Sequence, residues 1–128
     1  MEHLNPQQAY DLLHARSDAV LIDCRSEMEY FFVGHPVGAV HVAWSEAPDW
    51  DINPAFVEQV KAVAGEAQPV LIICRSGNRS VDAANALEAA GFKTVYNVLE
   101  GFEGERDEHF HRGTKGGWRF HGLPWEQS

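Results

Sequence analysis

Two kinds of apolar pattern alternate along this chain. Short continuous runs occur at Ala19-Val20-Leu21-Ile22 and Val70-Leu71-Ile72-Ile73, with a third stretch from Thr94 to Leu99. Such runs predict strands buried on both faces, as in a parallel sheet. Val40-His41-Val42 is a weaker strand candidate. Between the runs, apolar residues recur at helical spacing. Ala9, Leu12 and Leu13 follow Asn5-Pro6-Gln7-Gln8, where Asn5 suits the N-cap, Pro6 the first turn and Gln8 the capping-box position. Asn53-Pro54 repeats that start, and Phe56, Val57, Val60, Val63 and Ala64 keep the spacing until Gly65. A further helix is predicted over Ser80 to Ala90, with Val81, Ala84 and Leu87 on one face. Gly91 is its stop, and Phe92 is placed to fold back on Leu87.

Strands alternating with helices predict an α/β fold with a central, mainly parallel sheet flanked by helices. At 128 residues the chain has the size of one domain. No repeat, low-complexity tract or linker divides it, so residues 1–128 read as one unit with a core over about 4–99. From about Glu100 the chain turns rich in Gly, His and charge. This stretch, about 100–128, is expected to be a loop-rich extension packed on the domain, anchored by Trp118 and Trp125.

Ten basic against nineteen acidic residues give a net charge of −9. That balance argues against nucleic acid as a partner, because neutralising phosphates needs a basic face. A small anionic ligand stays compatible, since a pocket can be positive on an acidic protein. The first residues, Met1 to Pro6, carry no basic segment followed by an apolar run, and no run is long enough to span a membrane. The expectation is a cytoplasmic protein without a membrane partner. With two cysteines there, Cys24 and Cys74, a structural disulfide is not expected.

The chemistry concentrates in Cys74-Arg75-Ser76-Gly77-Asn78-Arg79-Ser80. This loop leaves the carboxyl end of a buried strand and enters a helix, the place where open α/β sheets bind ligands. The first N–H groups of a helix lack internal partners and sit at the positive end of its dipole. Gly77 and Asn78 are the residue types that tolerate the left-handed backbone of an anion-binding loop. A cysteine at its base makes its own thiolate the anion, with a pKa below the free value of about 8.5. Arg75 and Arg79 add positive charge, and no Asp or Glu lies between Ala67 and Val81. Standing alone, Cys74 reads as an inert buried thiol and Arg79 as the partner of Asp82. In combination they read as a nucleophilic thiol site.

The loop CRSGNRS after PVLII, with LIDCRSEMEY and GHPVGAVHV upstream, resembles the rhodanese-like domain family. The resemblance runs from about Leu4 to Leu99. The tail motifs EGFEG, HRGTKGGW and GLPW look like those of a subset of small bacterial members. It implies a single-domain sulfurtransferase without a cofactor. Cys74 would take a sulfane sulfur from a small anionic donor such as thiosulfate, becoming a persulfide. A thiol, cyanide or protein acceptor would then remove the outer sulfur. Arg75, Ser76, Gly77, Asn78, Arg79 and Ser80 would surround the persulfide and bind substrate. Asp23, Arg25 and Glu29 match the pattern DxRxxxE and would brace the site. Cys24 stands where the family often has an apolar residue.

Two rival readings stay open. One is a loop-cysteine phosphatase or arsenate reductase, whose pattern has five residues between Cys and Arg; here Cys74 and Arg79 bracket four. One residue adds up to about 3.5 Å of contour, so the shorter ring suits a sulfur atom better than a tetrahedral oxyanion. The other is a sulfur carrier or binding module without turnover. Cys24 reads as a packed core thiol, with a redox partner of Cys74 as the alternative. His109, His111 and His121 are a weak zinc signal, and no metal is expected. Trp44 and Trp50, like the other tryptophans, read as packing anchors, one of which could line the pocket mouth. His35 and His41 read as structural.

Overall fold

The apolar runs form the centre of a five-stranded, all-parallel sheet in this computed structural model, which describes residues 1–127; Ser128, the last residue of the expected unit, lies outside the described residues. Strands β1 (Glu2–Leu4), β2 (Val20–Asp23), β4 (Val40–His41), β5 (Val70–Ile73) and β6 (Val95–Val98) lie in the order β1-β6-β5-β2-β4. Strand β3 (His35–Pro36) instead pairs with β7 (Trp125–Glu126) in a small antiparallel ribbon. Strand β1 carries no apolar run and was not expected. It forms because β6 offers an open edge, on which Glu2, His3 and Leu4 sit opposite Tyr96, Asn97 and Val98.

Alternation within β2 and β5 sends side chains to both faces, and both are buried. Ile22, Val70 and Ile72 join Phe56, Val60, Ala83, Ala84 and Leu87 on the face covered by α2 (Phe56–Lys61) and α3 (Arg79–Ala89). Leu21, Leu71 and Ile73 face α1 (Pro6–Ala15) and the carboxyl-terminal segment, packing with Ala9, Phe102 and Trp118. Asn5 and Gln8 close the expected capping box on α1. Helix α3 buries Ser80 and Ala83 beside Ala84 and Leu87, while Val81 is only half-buried. Phe92 N–H returns to the Leu87 carbonyl at 3.1 Å beyond Gly91, as the stop signal implied.

Two helical expectations shift. Helix α2 ends at Lys61, where Val63 N–H turns back to the Val60 carbonyl, one residue nearer than an α-helix requires, and Val63 is left exposed. A five-residue π-helical segment, Glu29–Val33, follows β2 where no element was anticipated. Trp118 is a buried anchor of the extension, its indole N–H donating to the Pro124 carbonyl at 2.8 Å. Trp125 is an outer cover, 39% exposed, edge-on to Phe102. No helix among the described residues is long and apolar enough to cross a membrane.

Candidate active site

Parallel strands deliver Cys74 and Cys24 to the same edge. Cys74 follows β5 and Cys24 follows β2, and Cys24 N–H donates to the Ile73 carbonyl at 3.0 Å, so the two cysteines leave neighbouring strands side by side. Cys74 is 1% exposed and is one of the residues that line a cavity of about 430 Å³. Trp44, Trp50 and Ile52 supply an apolar wall of that cavity; Arg75, Arg79 and Asp82 supply charge. The loop from Cys74 turns through Gly77, whose φ of +105° is the left-handed geometry that favours glycine. Asn78 does not share it. Its φ of −91° is right-handed, and it serves as the N-cap of α3 without a side-chain bond. The expectation that both residues adopt the left-handed backbone therefore holds for Gly77 alone.

Hydrogen bonds converge on the sulfur. Gly77 N–H donates to Cys74 Sγ at 3.1 Å, and Ser80 Oγ lies 3.2 Å from it. The Cys74 pKa is lowered to about 5, chiefly by the neighbouring Cys24 thiol, against the cost of burial. The Ser80 hydroxyl and the Ser80 and Gly77 amides add to the same effect. Cys24 moves the other way: burial, then the negative charge of its neighbour, push its thiol well up. The two neighbouring thiols are thus pushed in opposite directions, Cys74 toward the anion and Cys24 toward the neutral form. Of the loop amides expected to ring the sulfur, Gly77 N–H is the one within direct hydrogen-bond distance.

The two arginines have different fates. Arg79 is held by Glu29 through two hydrogen bonds of 2.8 Å, not by Asp82. Burial raises the Glu29 carboxyl, but Arg79 outweighs it and the pKa falls to about 2. Arg79 also lies over the Trp50 ring at 5.5 Å. Arg75 is exposed, while Ser76 and Asn78 reach the cavity rim. Below the site, Arg25 and Asp23 form a fully buried ion pair at 2.6 Å. Arg25 also donates to the Gly34 carbonyl and sits under the Phe102 ring. His41 bonds the Arg25 carbonyl at 2.8 Å and His35 the Tyr30 carbonyl at 2.9 Å, both bracing the backbone.

The extension closes the base of the loop. Phe102 N–H donates to the Cys74 carbonyl at 2.7 Å, and the Glu103 and Gly104 N–H groups donate to the Arg75 carbonyl. Gly101 makes this approach possible, because a Cβ there would stand 2.5 Å from the Cys74 carbonyl oxygen. Sequence reasoning did not find this clamp, nor Asn97, which touches Ser80 from behind. EGFEG does carry the clamp's signal, a glycine pair around an aromatic, but only contact across the fold reveals its target.

Comparison with known proteins agrees with this architecture. The family model described as "Rhodanese-like domain" matches residues 5–107. The crystal structure of Rv0390 from M. tuberculosis superposes with a TM-score of 0.90 at 39% identity, covering 100% of this chain and 98% of that one. An uncharacterized protein of Rickettsia conorii, RC0915, is 30% identical over 98% of both chains. The chloroplastic thiosulfate sulfurtransferase 16 of Arabidopsis thaliana is 35% identical over 73% of this chain and 78% of its own length. A five-stranded parallel sheet with its cysteine loop between β5 and α3 is thus joined to a match across most of the sequence, and the chain belongs to the rhodanese-like domain family.

Proposed function

We propose that this protein is a sulfurtransferase that carries sulfur on Cys74. The observation that carries the reading is the setting of the Cys74 sulfur: Gly77 N–H donates to it at 3.1 Å with Ser80 Oγ at 3.2 Å, and together with the neighbouring Cys24 thiol this favours the anion. A thiolate so held is a nucleophile toward sulfane sulfur. With thiosulfate, Cys74 S⁻ bonds the outer sulfur, the S–S bond to the sulfonate group breaks, and sulfite leaves with the electron pair. Attack by cyanide or a thiolate on the outer sulfur of the persulfide then returns Cys74 as a thiolate. Both steps conserve electrons, so no cofactor is required.

In this reading Gly77, Ser80 and the remaining loop residues hold the sulfur anion, while Arg75 at the rim draws in the anionic donor. Asp23, Arg25 and Glu29 keep the loop in place. The four-residue spacing from Cys74 to Arg79 favours sulfur over a phosphoryl or arsenate group. A reducing compartment such as the cytoplasm suits a thiol that must be regenerated.

Intact mass after incubation with thiosulfate is the test. The protein should gain about 32 Da, one sulfur atom, and lose it on addition of cyanide as thiocyanate appears. Cys74→Ser should do neither. Phosphatase activity without sulfur loading would overturn the proposal, and a stable mass gain without turnover would assign a carrier instead.

A further inference from the structure

A chain of side chains links the Cys74 sulfur to the surface at His3. Ser80 Oγ contacts Cys74 Sγ at 3.2 Å and also hydrogen-bonds Asn97 Oδ1. The Asn97 amide nitrogen meets His3 Nδ1 at 3.1 Å. Ser80 and Asn97 are 0% and 1% exposed, whereas His3 is exposed. The β1–β6 register sets His3 directly opposite Asn97, and the first turn of α3 brings Ser80 between Asn97 and the sulfur.

The proton count along this chain has a consequence for Cys74. A serine hydroxyl carries one proton and can give it to only one partner. If Ser80 donates to Asn97 Oδ1, its oxygen can only accept from Cys74, which favours the thiol. With the Asn97 amide turned over, its NH₂ donates to Ser80, and the Ser80 proton is released to the sulfur, favouring the thiolate. Both orientations have the same shape, so the hydrogen bond at the far end decides between them. A His3 Nδ1 that accepts selects the first; a His3 Nδ1–H that donates selects the second.

We infer that His3 is a positioning residue: the proton on its Nδ1, relayed through Asn97 and Ser80, sets whether Cys74 receives a hydrogen bond on its thiolate. The relay rests on the reading of Cys74 as the reacting thiol, but it acts on thiolate content, which is measurable without turnover. Other charges meet the two ends. Glu2 and Tyr96 flank His3, and the Met1 ammonium is tied to Glu88. Near Cys74 are the Cys24 thiol and the Arg79–Glu29 pair, with Asp23 acting on Cys24 and Asp82, one turn on from Arg79, also lining the cavity.

A double-mutant cycle distinguishes the relay from these through-space charges. The Cys74 thiolate is titrated by ultraviolet absorbance in the full chain, in His3→Ala, in Ser80→Ala and in the double variant. In the observed contacts Ser80 donates to Asn97 Oδ1 and the Asn97 NH₂ faces His3 Nδ1. His3→Ala, which frees Asn97 to turn over, should therefore lower the Cys74 midpoint by about half to one pH unit, a roughly three- to tenfold gain of thiolate below the midpoint. In the Ser80→Ala background the same substitution should have no further effect. An unchanged midpoint in His3→Ala, or an equal shift with and without Ser80, would overturn the relay. Thiosulfate loading by mass on the same samples reports separately on sulfur transfer. A parent protein that fails to load while the cycle stays non-additive would refute the transferase reading and keep the relay.

Discussion

Glu29 and Arg79 form a two-pronged ion pair, Nη1 to Oε1 and Nη2 to Oε2, across 50 residues of sequence. The pair joins the start of the π-helical segment to the first turn of α3, so it ties one side of the cavity to the cysteine loop. Ser26 completes the arrangement, its hydroxyl donating to Glu29 Oε1 at 2.9 Å.

Breaking that pair should cost stability in a pH-dependent way. Glu29→Gln leaves the half-buried Arg79 guanidinium without a counter-charge and should destabilise the fold by about 2 kcal/mol at neutral pH. In the parent protein the folded pKa of Glu29, about 2, lies below its ordinary 4.5. The pair's stabilisation is therefore present above pH 4.5 and is lost as pH falls toward 2. Urea denaturation across that range should show a steeper acid loss in the parent than in Glu29→Gln.

Alkylation should report the thiolate directly. With the Cys74 pKa at about 5, the rate of reaction with iodoacetamide should stay level from neutral pH downward and fall only as pH approaches 5. A rate that instead rises through the range of a free thiol, about 8.5, would contradict the depressed value.

Cys24 is the largest of the influences that lower the Cys74 pKa, so removing its S–H should raise it. Cys24→Ala should move the alkylation midpoint upward, whereas Cys24→Ser, which keeps a donor, should stay near the parent. A packed thiol with no influence on Cys74 would give the same midpoint in all three proteins.

The clamp on the loop depends on a bare backbone at Gly101. Its φ is +65°, and an added Cβ would meet the Cys74 and Arg75 carbonyl groups at 2.5 to 2.6 Å. Gly101→Ala should therefore destabilise the protein by about 2 kcal/mol or more and reduce persulfide loading, because the Phe102 bond to the Cys74 carbonyl is displaced. Thermal unfolding and intact mass read the two effects.

Local patterns in the sequence carried much of this molecule. Continuous apolar runs at residues 19–22 and 70–73 announced strands covered on both faces, because only a sheet between two layers can bury every side chain of such a run. Asn5-Pro6 and Gly91-Phe92 marked helix ends, because unpaired backbone groups there need those residue types. The cysteine loop was legible for the same reason: a thiol, a glycine and a helix start lie within seven consecutive residues. Contacts between distant segments were not legible. Glu29 rather than Asp82 holds Arg79; β1 forms on the β6 edge; Gly101 and Phe102 grip the Cys74 backbone; and Asn97 and His3 stand behind Ser80. Each of these depends on strand order and register, which join residues of unrelated sequence position through the burial of a shared core. Short-range preferences act over a few bonds and determine the elements and the loop. Gly77 and Ser80 reach the sulfur through the local loop, but its distant partner Cys24 comes from packing, which tertiary structure alone decides.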